Sequence, residues 1–296
     1  MSADPFVTHR SLLFTVAYEM LGSATDAEDV VQETWLRWAA VDQAAVHDPR
    51  AYLVRSVTRQ SLNRIRTLSR RRETYVGEWL PEPLLTSPDV AEDLELAENV
   101  SIAMLTVLET LTPTERAVFV LREVFDVGYD EIAAAVDKSQ PAVRQVAHRA
   151  REHVAARRPR MQVDRTEQQQ VVERFVAAVT AGDVQGLMDV LAPNVVLLAD
   201  GGGVAQAVRV PVVGARKVVN LLRPFPAVSV NPAIETIRLN GAVGVRIDDE
   251  VGGTTIVSLV IEDGRITHIF AMRNPDKLAG LDEEAELTRQ APASTP

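Results

Sequence analysis

The chain has 296 residues, of which 46% are hydrophobic and 24% charged, and it carries a formal net charge of -10 at pH 7. This length suits two or three compact domains, and this composition is typical of a globular protein with a buried hydrophobic core. No apolar run approaches the ~20 residues that span a membrane, the start lacks the pattern of a signal peptide and there is no cysteine, so we expect a cytoplasmic protein without membrane contact, disulfides or thiolate metal sites.

Residues 1–73 are predicted to form a helical domain. One helix is expected over residues 10–20, a second from Thr25 and a third over residues 50–72. Thr25 and Glu28 match a capping box at the start of the second helix. The last of these helices carries a polar stripe on one face, formed by Arg55, Arg59, Asn63 and Arg66. Phosphate contact is the natural use of such a stripe, because it releases counterions; a solvated arginine-rich helix is the alternative.

Residues 74–98 are predicted to be a linker, because their prolines interrupt a helix. Charges are segregated around it. Residues 50–72 contain arginines and no acidic residue, residues 75–100 contain acidic residues and no basic one, and residues 138–160 are basic apart from Glu152. Binding depends on where each sign lies, so two cationic segments around an anionic linker are compatible with DNA binding despite the negative net charge.

Residues 99–160 are predicted to form a second helical domain that contains a helix-turn-helix. One helix is expected to start at Thr112, and a short helix over residues 129–136, a turn at Asp137 and a longer helix from Gln140 give the helix-turn-helix pattern. Helical spacing places a polar set on the exposed face of the longer helix: Arg144, Gln145, His148 and Arg149. Such side chains bond base edges in the major groove and hold phosphates, whereas an ordinary solvated basic face is the alternative.

Residues 166–280 are predicted to form an α+β domain. Two helices, over residues 166–181 and 183–191, precede apolar residues that alternate with a two-residue period. The expected fold is a curved antiparallel sheet with helices packed on it, and the polar tail, residues 281–296, is expected to be disordered. The predicted strands cover residues 194–199, 204–213, 228–239, 242–248, 254–262 and 265–272, with a helix over residues 214–222.

Several of these segments resemble the extracytoplasmic-function sigma factors, which are promoter-reading subunits of RNA polymerase. Residues 26–38 (DAEDVVQETWLRW) resemble region 2.2 of that family, and residues 111–116 (LTPTER), Glu131-Ile-Ala and Arg149-Ala-Arg resemble region 4. The resemblance implies two all-α domains, a region 2 bundle and a region 4 helix-turn-helix, that bind promoter DNA and the clamp and flap of core RNA polymerase. It implies no catalytic residue and no cofactor.

The resemblance also implies roles for individual residues. Trp38 is expected to be buried. The expected polymerase contacts are Asp29, Gln32, Glu33 and Trp35. The -10 promoter element would be contacted by Arg55, Arg59, Asn63 and Arg66. The -35 element would be contacted by Ser139, Gln140, Arg144, Gln145, His148 and Arg149.

Residues 166 to about 278 resemble a SnoaL-like, cone-shaped domain of the polyketide-cyclase type. Three short motifs resemble the signature of sigma factors with such a fused domain: Trp79-Leu-Pro-Glu-Pro83, Asp200-Gly-Gly-Gly203 and Asn274-Pro-Asp-Lys-Leu278. The resemblance implies that this domain regulates the sigma core in place of a separate anti-sigma factor. The implied regulatory residues are Trp79, Pro81, Glu82, Pro83, Asp200, Gly201, Gly202, Asn274, Pro275, Asp276, Lys277 and Leu278.

Other functions stay open from the sequence. A ligand-responsive regulator would bind DNA through the helix-turn-helix without polymerase, and a SnoaL-like enzyme would use Asp200 or His268, whose pKa an apolar pocket moves toward neutrality. We do not expect turnover, because His268 lies in an alternating strand with no partner in view. A concave pocket that binds a small molecule without chemistry is the third possibility.

Overall fold

A computed structural model of the chain describes residues 4–72, 74–158 and 165–289. A first helical unit, a second helical unit and a sheet domain follow one another along it. The first helical unit contains α1 (Pro5–Leu21), α2 (Ala24–Ala39) and α3 (Pro49–Arg72). The second helical unit contains α4 (Pro88–Glu92), α5 (Leu94–Val100), α6 (Ile102–Leu108), α7 (Pro113–Phe119), α8 (Tyr129–Val136) and α9 (Gln140–Ala155).

The sheet domain contains helices and one sheet. Its helices are α10 (Arg165–Ala181), α11 (Val184–Val190), α12 (Ala215–Leu222), α13 (Phe225–Val228) and α14 (Pro275–Leu278). The strands of the chain are β1 (Leu85–Thr86), β2 (Leu191–Asp200), β3 (Val212–Val213), β4 (Ala233–Leu239), β5 (Ala242–Asp249), β6 (Gly253–Glu262), β7 (Arg265–Met272) and β8 (Glu284–Ala285). They pair in the order β3-β2-β7-β6-β5-β4-β1-β8. The linker therefore contributes β1, and the chain beyond the domain contributes β8, to the same sheet.

The sheet differs from the antiparallel sheet that the sequence predicts. It is mixed, because β2 pairs with β7 in parallel and β1 pairs with β8 in parallel, and it is open, because the edge strands β3 and β8 do not pair with each other. The meander from β4 to β7 reverses direction at each turn, so its last strand returns alongside β2 and runs the same way. The helical and sheet parts of the predicted fold are otherwise present.

Several predicted boundaries are wrong. The first cap of α2 is Ser23, whose side chain accepts from the N–H of Asp26 at 3.1 Å, and not Thr25. The strand expected over residues 204–213 is reduced to β3, and the strand expected from residue 228 begins at Ala233. Proline at position 232 has no N–H to donate to a neighbouring strand, which is consistent with the late start.

The tail also differs from the prediction. Residues 281–289 are packed and not disordered, because Leu287 is buried in the core of the helical units and Arg289 pairs with Asp93 at 2.9 Å. The rest of the predicted tail, residues 290–296, lies outside the described residues. Within the described part of the chain, no helix is both long and apolar enough to cross a membrane.

Three hydrophobic clusters hold these parts together. The two helical units share one core, to which Val57 of α3 and Ile132 of α8 both belong. The sheet domain has its own core between the sheet and α10 to α12. A third cluster joins Leu80 of the linker and Ile102 of α6 to Phe270 of β7. Burial of apolar surface therefore links the sheet domain to the linker and to the second helical unit.

Candidate nucleic-acid interface and interdomain latch

The helix-turn-helix forms from α8 and α9. The chain turns between them at Asp137, whose φ of 54° is left-handed, and the side chain of Ser139 caps α9. Small apolar side chains bury the contact between the helices. All six residues predicted to read the -35 element are solvent-exposed: Ser139, Gln140, Arg144, Gln145, His148 and Arg149. The reading face of α9 is therefore accessible.

The polar stripe on α3 is exposed as well, but one of its residues is also bonded to the helix-turn-helix. The four exposed residues are Arg55, Arg59, Asn63 and Arg66. Arg59 donates from its guanidinium to the carbonyl of Ala134 at 2.7 Å and to that of Ala135 at 3.4 Å, in the last turn of α8. A helix C-terminus carries unpaired carbonyls and partial negative charge, so it is a good partner for a cation. The structure thus brings the two predicted DNA-binding elements against each other.

The predicted polymerase surface lies on α2. Its four residues are all exposed: Asp29, Gln32, Glu33 and Trp35, the last with 44% of its surface accessible. Trp38, about one turn beyond Trp35 on the same helix, is buried as expected and donates its indole N–H to Asp4 at 3.0 Å. The predicted polymerase surface is therefore open to solvent, with Asp29 also paired to Arg64 of α3 at 2.6 Å. The buried residues of α2 hold the helical bundle together.

The three motifs predicted to be regulatory meet at one buried point. Asp200, at the end of β2, is fully buried and accepts from the hydroxyl of Tyr75 at 2.5 Å and from the N–H of Leu80 at 2.9 Å. Its carboxylate forms an ion pair with Lys277 of α14 at 2.7 Å. We call this cluster the latch, and its members are Tyr75, Trp79, Leu80, Asp200, Asn274 and Lys277.

Lys277 fastens the linker from the other side. Its ammonium donates to the carbonyl of Leu80 and lies 3.3 Å from the centre of the Trp79 ring, which is a cation–π contact. Asn274 donates from its amide to the hydroxyl of Tyr75 at 2.8 Å and caps α14 by accepting from the N–H of Asp276. The latch therefore ties an early and a late segment of the sheet domain to the linker.

Backbone geometry explains the glycines and the proline of the motifs. Gly202 has a φ of 64°, and a Cβ there would lie 2.5 Å from Cγ of Asn274. A Cβ on Gly201 would lie 2.3 Å from the carbonyl oxygen of Ala205. Pro275 occupies the first turn of α14, where its missing N–H costs nothing. Leu278, at the end of that helix, packs against the third cluster.

Glu82 binds the first helical unit and not the sheet domain. Its carboxylate accepts from the hydroxyl of Ser23 at 2.8 Å and from the N–H of Thr25 at 3.1 Å. The flanking prolines, Pro81 and Pro83, are buried. One end of the Trp79-to-Pro83 motif is thus held by the latch and the other by the turn between α1 and α2.

The enzyme candidates do not form a catalytic site. Asp200 is engaged by the latch, and His268 contacts the hydroxyl of Thr267 at 3.2 Å with its ring stacked on Phe270. Burial lowers the pKa of His268. Burial also raises the pKa of Tyr75, and the hydrogen bond to the neighbouring Asp200 raises it further. Among the described residues there is no group of three or more side chains suited to hold a metal ion.

Sequence reasoning missed several residues that join the parts of the chain. Asn240, Tyr18 and Arg289 each bond to a segment far away in the sequence. The dipeptide Asn240-Gly241 is a recognisable hairpin turn. Nothing in the local sequence indicates that this turn is buried, because its partners lie 140 and 222 residues away.

Comparison with known proteins gives the family. Residues 6–71 match the Sigma-70 region 2 family, and residues 101–154 match the Sigma-70 region 4 family. The ECF RNA polymerase sigma factor SigJ of Mycobacterium tuberculosis H37Rv is 35% identical over 296 residues, which cover 95% of this chain and 94% of SigJ. The chain belongs to the extracytoplasmic-function (ECF) sigma factors. ECF sigma factors are not enzymes.

Two further matches agree with this assignment. A probable ECF RNA polymerase sigma factor, SigI of Mycobacterium tuberculosis H37Rv, is 31% identical over 280 residues, covering 93% of this ECF sigma factor and 94% of SigI. The crystal structure of SigJ matches with a TM-score of 0.75 at 33% identity, covering 92% of this chain and 96% of that one. The ECF sigma factor described here therefore consists of region 2, region 4 and a C-terminal sheet domain.

Proposed function

We propose that this ECF sigma factor contacts core RNA polymerase through α2, the -10 element through α3 and the -35 element through α9, and that its sheet domain holds these surfaces in a closed arrangement. The observation that carries the closed arrangement is the bond from Arg59 of α3 to the carbonyls at the end of α8. A residue that faces promoter DNA in the active state is occupied by region 4 in the closed one.

The spacing of promoter elements supports this proposal. Elements centred near -10 and -35 lie about 25 base pairs apart, or about 85 Å along the duplex at ~3.4 Å per base pair. In the structure α3 and α8 share one hydrophobic core and Arg59 bonds to the end of α8, so the polar stripe of α3 lies against the helix-turn-helix. Simultaneous recognition of both elements therefore requires regions 2 and 4 to separate.

The exposed residues of α9 suit the -35 element. Arg144, Gln145, His148 and Arg149 present donors along one face, and arginine and glutamine pair with guanine and adenine edges in the major groove. Ser139 and Gln140 stand at the N-terminus of the same helix, where backbone N–H groups favour a phosphate. On α3, Arg55, Asn63 and Arg66 would hold the -10 element once Arg59 is released.

The sheet domain is suited to hold the closed state from within the chain. The linker joins its sheet as β1, which pairs with β4, and is fastened through the latch. The tail then pairs with the outer edge of β1 as β8. A separate anti-sigma factor is therefore not needed in this proposal. Release of the sheet domain from the linker would free regions 2 and 4 together.

Reconstituted transcription tests the function. The full chain is added to core RNA polymerase on a library of promoter fragments, and RNA start sites are mapped. We expect synthesis from defined positions that requires both the chain and the polymerase, and Arg149→Ala is expected to lower output from the same positions. Tight duplex binding by the chain alone, with no effect of the chain on start sites, would instead indicate a regulator that acts without polymerase.

A further inference from the structure

The turn of the hairpin between β4 and β5 lies between α1 of region 2 and α5, the helix that leads into region 4. This turn consists of Asn240 and Gly241, both with positive φ, and Asn240 is 1% exposed. A polar turn of this kind normally lies at the surface, since its backbone groups need partners. Here the partners come from other parts of the chain.

Asn240 bonds to three of those parts at once. Its amide nitrogen donates to the hydroxyl of Tyr18 in α1 and to the carbonyl of Val100 in α5, both at 2.7 Å. Its amide oxygen accepts from the N–H of Leu84 in the linker at 2.9 Å. The two N–H donors of the side chain therefore bind α1 and α5, and its oxygen acceptor binds the linker.

Gly241 fits where a larger residue would not. A Cβ at this position would lie 2.6 Å from Cα of Ala97, in α5. Its backbone N–H donates to the hydroxyl of Thr86 at 3.0 Å. The turn is therefore in direct contact with the helix that leads into region 4.

We infer that the Asn240-Gly241 turn is a clasp that joins region 2, the linker and the helix leading into region 4 in the closed state. The latch reaches only the linker, whereas Asn240 reaches α1 and α5 as well. Removing its side chain leaves the Leu84 N–H and the Val100 carbonyl without this partner in a buried place, which favours opening. The clasp shares no residue with the latch, although the hydroxyl of Tyr18 also donates to the carbonyl of Glu82, in the Trp79-to-Pro83 motif, at 2.7 Å.

Asn240→Ala tests the clasp, and Asn231→Ala is its control. Asn231 is also an asparagine with positive φ in the sheet domain, but it is exposed and its side chain donates to Glu250, at 3.0 Å, within the same domain. Because the chain has no cysteine, spin labels are placed through Val7→Cys in α1 and Glu152→Cys in α9, both exposed positions. Pulsed electron paramagnetic resonance then measures the distance between the two spin labels, one in region 2 and one in region 4.

We expect the population with a long distance to rise about tenfold in Asn240→Ala and to stay unchanged in Asn231→Ala. Equal populations in the two variants would overturn the clasp. If Asn240→Ala does not fold, Asn240→Asp takes its place, because it keeps the shape and the acceptor for the N–H of Leu84 and removes the N–H donors to Tyr18 and Val100. For Asn240→Asp an unchanged distance distribution would equally overturn the clasp.

The effect of the clasp on transcription rests on the proposed function, and a second measurement separates the two. Start-site-specific RNA synthesis with core polymerase is compared between Asn240→Ala and Asn231→Ala. Opening together with higher output supports both ideas. Opening without higher output supports the clasp and contradicts regulation by the closed state.

Discussion

Asp200 and Lys277 form an ion pair of 2.7 Å in which neither side chain is more than 3% exposed. Both charges also bond to the backbone of Leu80, the carboxylate to its N–H and the ammonium to its carbonyl. Desolvation of two charges is offset only while both are present and well bonded. The ion pair is therefore stable only when the linker is bound to the folded sheet domain.

Lys277→Met is expected to destabilise the protein strongly. It leaves the carboxylate of Asp200 buried without its cation, and breaking a buried pair costs about 3–5 kcal/mol. Urea unfolding measures the loss. The control is Lys217→Met, the same substitution at an exposed position of α12, for which a change within about 0.5 kcal/mol is expected. Similar losses in the two variants would show that the pair does not contribute as the geometry indicates.

Gly202→Ala is expected to disrupt the latch through a clash. The new Cβ would lie 2.5 Å from Cγ of Asn274, in addition to the strain of a φ of 64°. Gly253→Ala is the matched control, because Gly253 has a φ of 69° and nothing lies within 4 Å of its Cβ position. The two variants share the backbone strain of about 1–2 kcal/mol.

The difference between the two glycine variants isolates the clash. Melting temperature and the region 2 to region 4 distance are measured for both. We expect Gly202→Ala to melt lower than Gly253→Ala and to populate the open state more. If Gly253→Ala is affected as much, backbone strain alone explains the result and the contact with Asn274 is not important.

Local rules predicted most helices, because caps and breakers lie close to the residues they control. Residues 129–136 and 265–272 have the predicted bounds of α8 and β7. At Thr112, the side chain of Glu115 completes a capping box, so the predicted helix start is also correct. The fold of each domain could therefore be inferred from periodicity and turn residues.

Contacts between domains could not be predicted in the same way. The three latch motifs were recognisable as motifs, but their meeting point depends on bonds such as Tyr75 to Asp200, 125 residues apart. The tail has a polar composition, yet Leu287 is buried in the core of the helical units, Arg289 pairs with Asp93 and β8 pairs with β1. Composition describes the average of a segment, whereas docking depends on single residues.

Glu19 makes stability depend on pH. It is fully buried in α1, and neither carboxylate oxygen has a hydrogen-bond partner among the described residues. Burial raises its pKa to about 8, opposed by the charges of Arg116 and Arg289. Between the ordinary pKa of about 4.5 and about 8 the folded state binds more protons than the unfolded state, so the free energy of unfolding falls as pH rises through this window.

Glu19→Gln is expected to flatten this dependence. One proton accounts for a slope of at most about 1.4 kcal/mol per pH unit, and the amide does not titrate. Urea unfolding at several pH values between about 5 and 8 measures the slope. Glu28→Gln, at an exposed position of α2, serves as the control and should keep the parent slope. A Glu19→Gln profile parallel to that of the parent would mean that another group is responsible.

Arg59 is expected to have two separable roles, in the closed state and on DNA. Arg59→Ala removes the bonds to the carbonyls of Ala134 and Ala135 and so favours opening, while it also removes the phosphate contact proposed for this residue. Arg55 is the matched arginine on the same face of α3; it is exposed and stacks on the ring of Tyr52 within its own helix. Arg55→Ala should therefore affect DNA binding and leave the closed state unchanged.

Two measurements distinguish these roles. With the labelled chain, the open population should rise in Arg59→Ala only. With polymerase and promoter DNA, the slope of log affinity against log salt should become shallower by about 0.9 in each variant, because each loses one phosphate contact. If Arg55→Ala opens the chain as much as Arg59→Ala does, general loss of charge on α3 is the cause, and the bond from Arg59 to α8 does not hold regions 2 and 4 together.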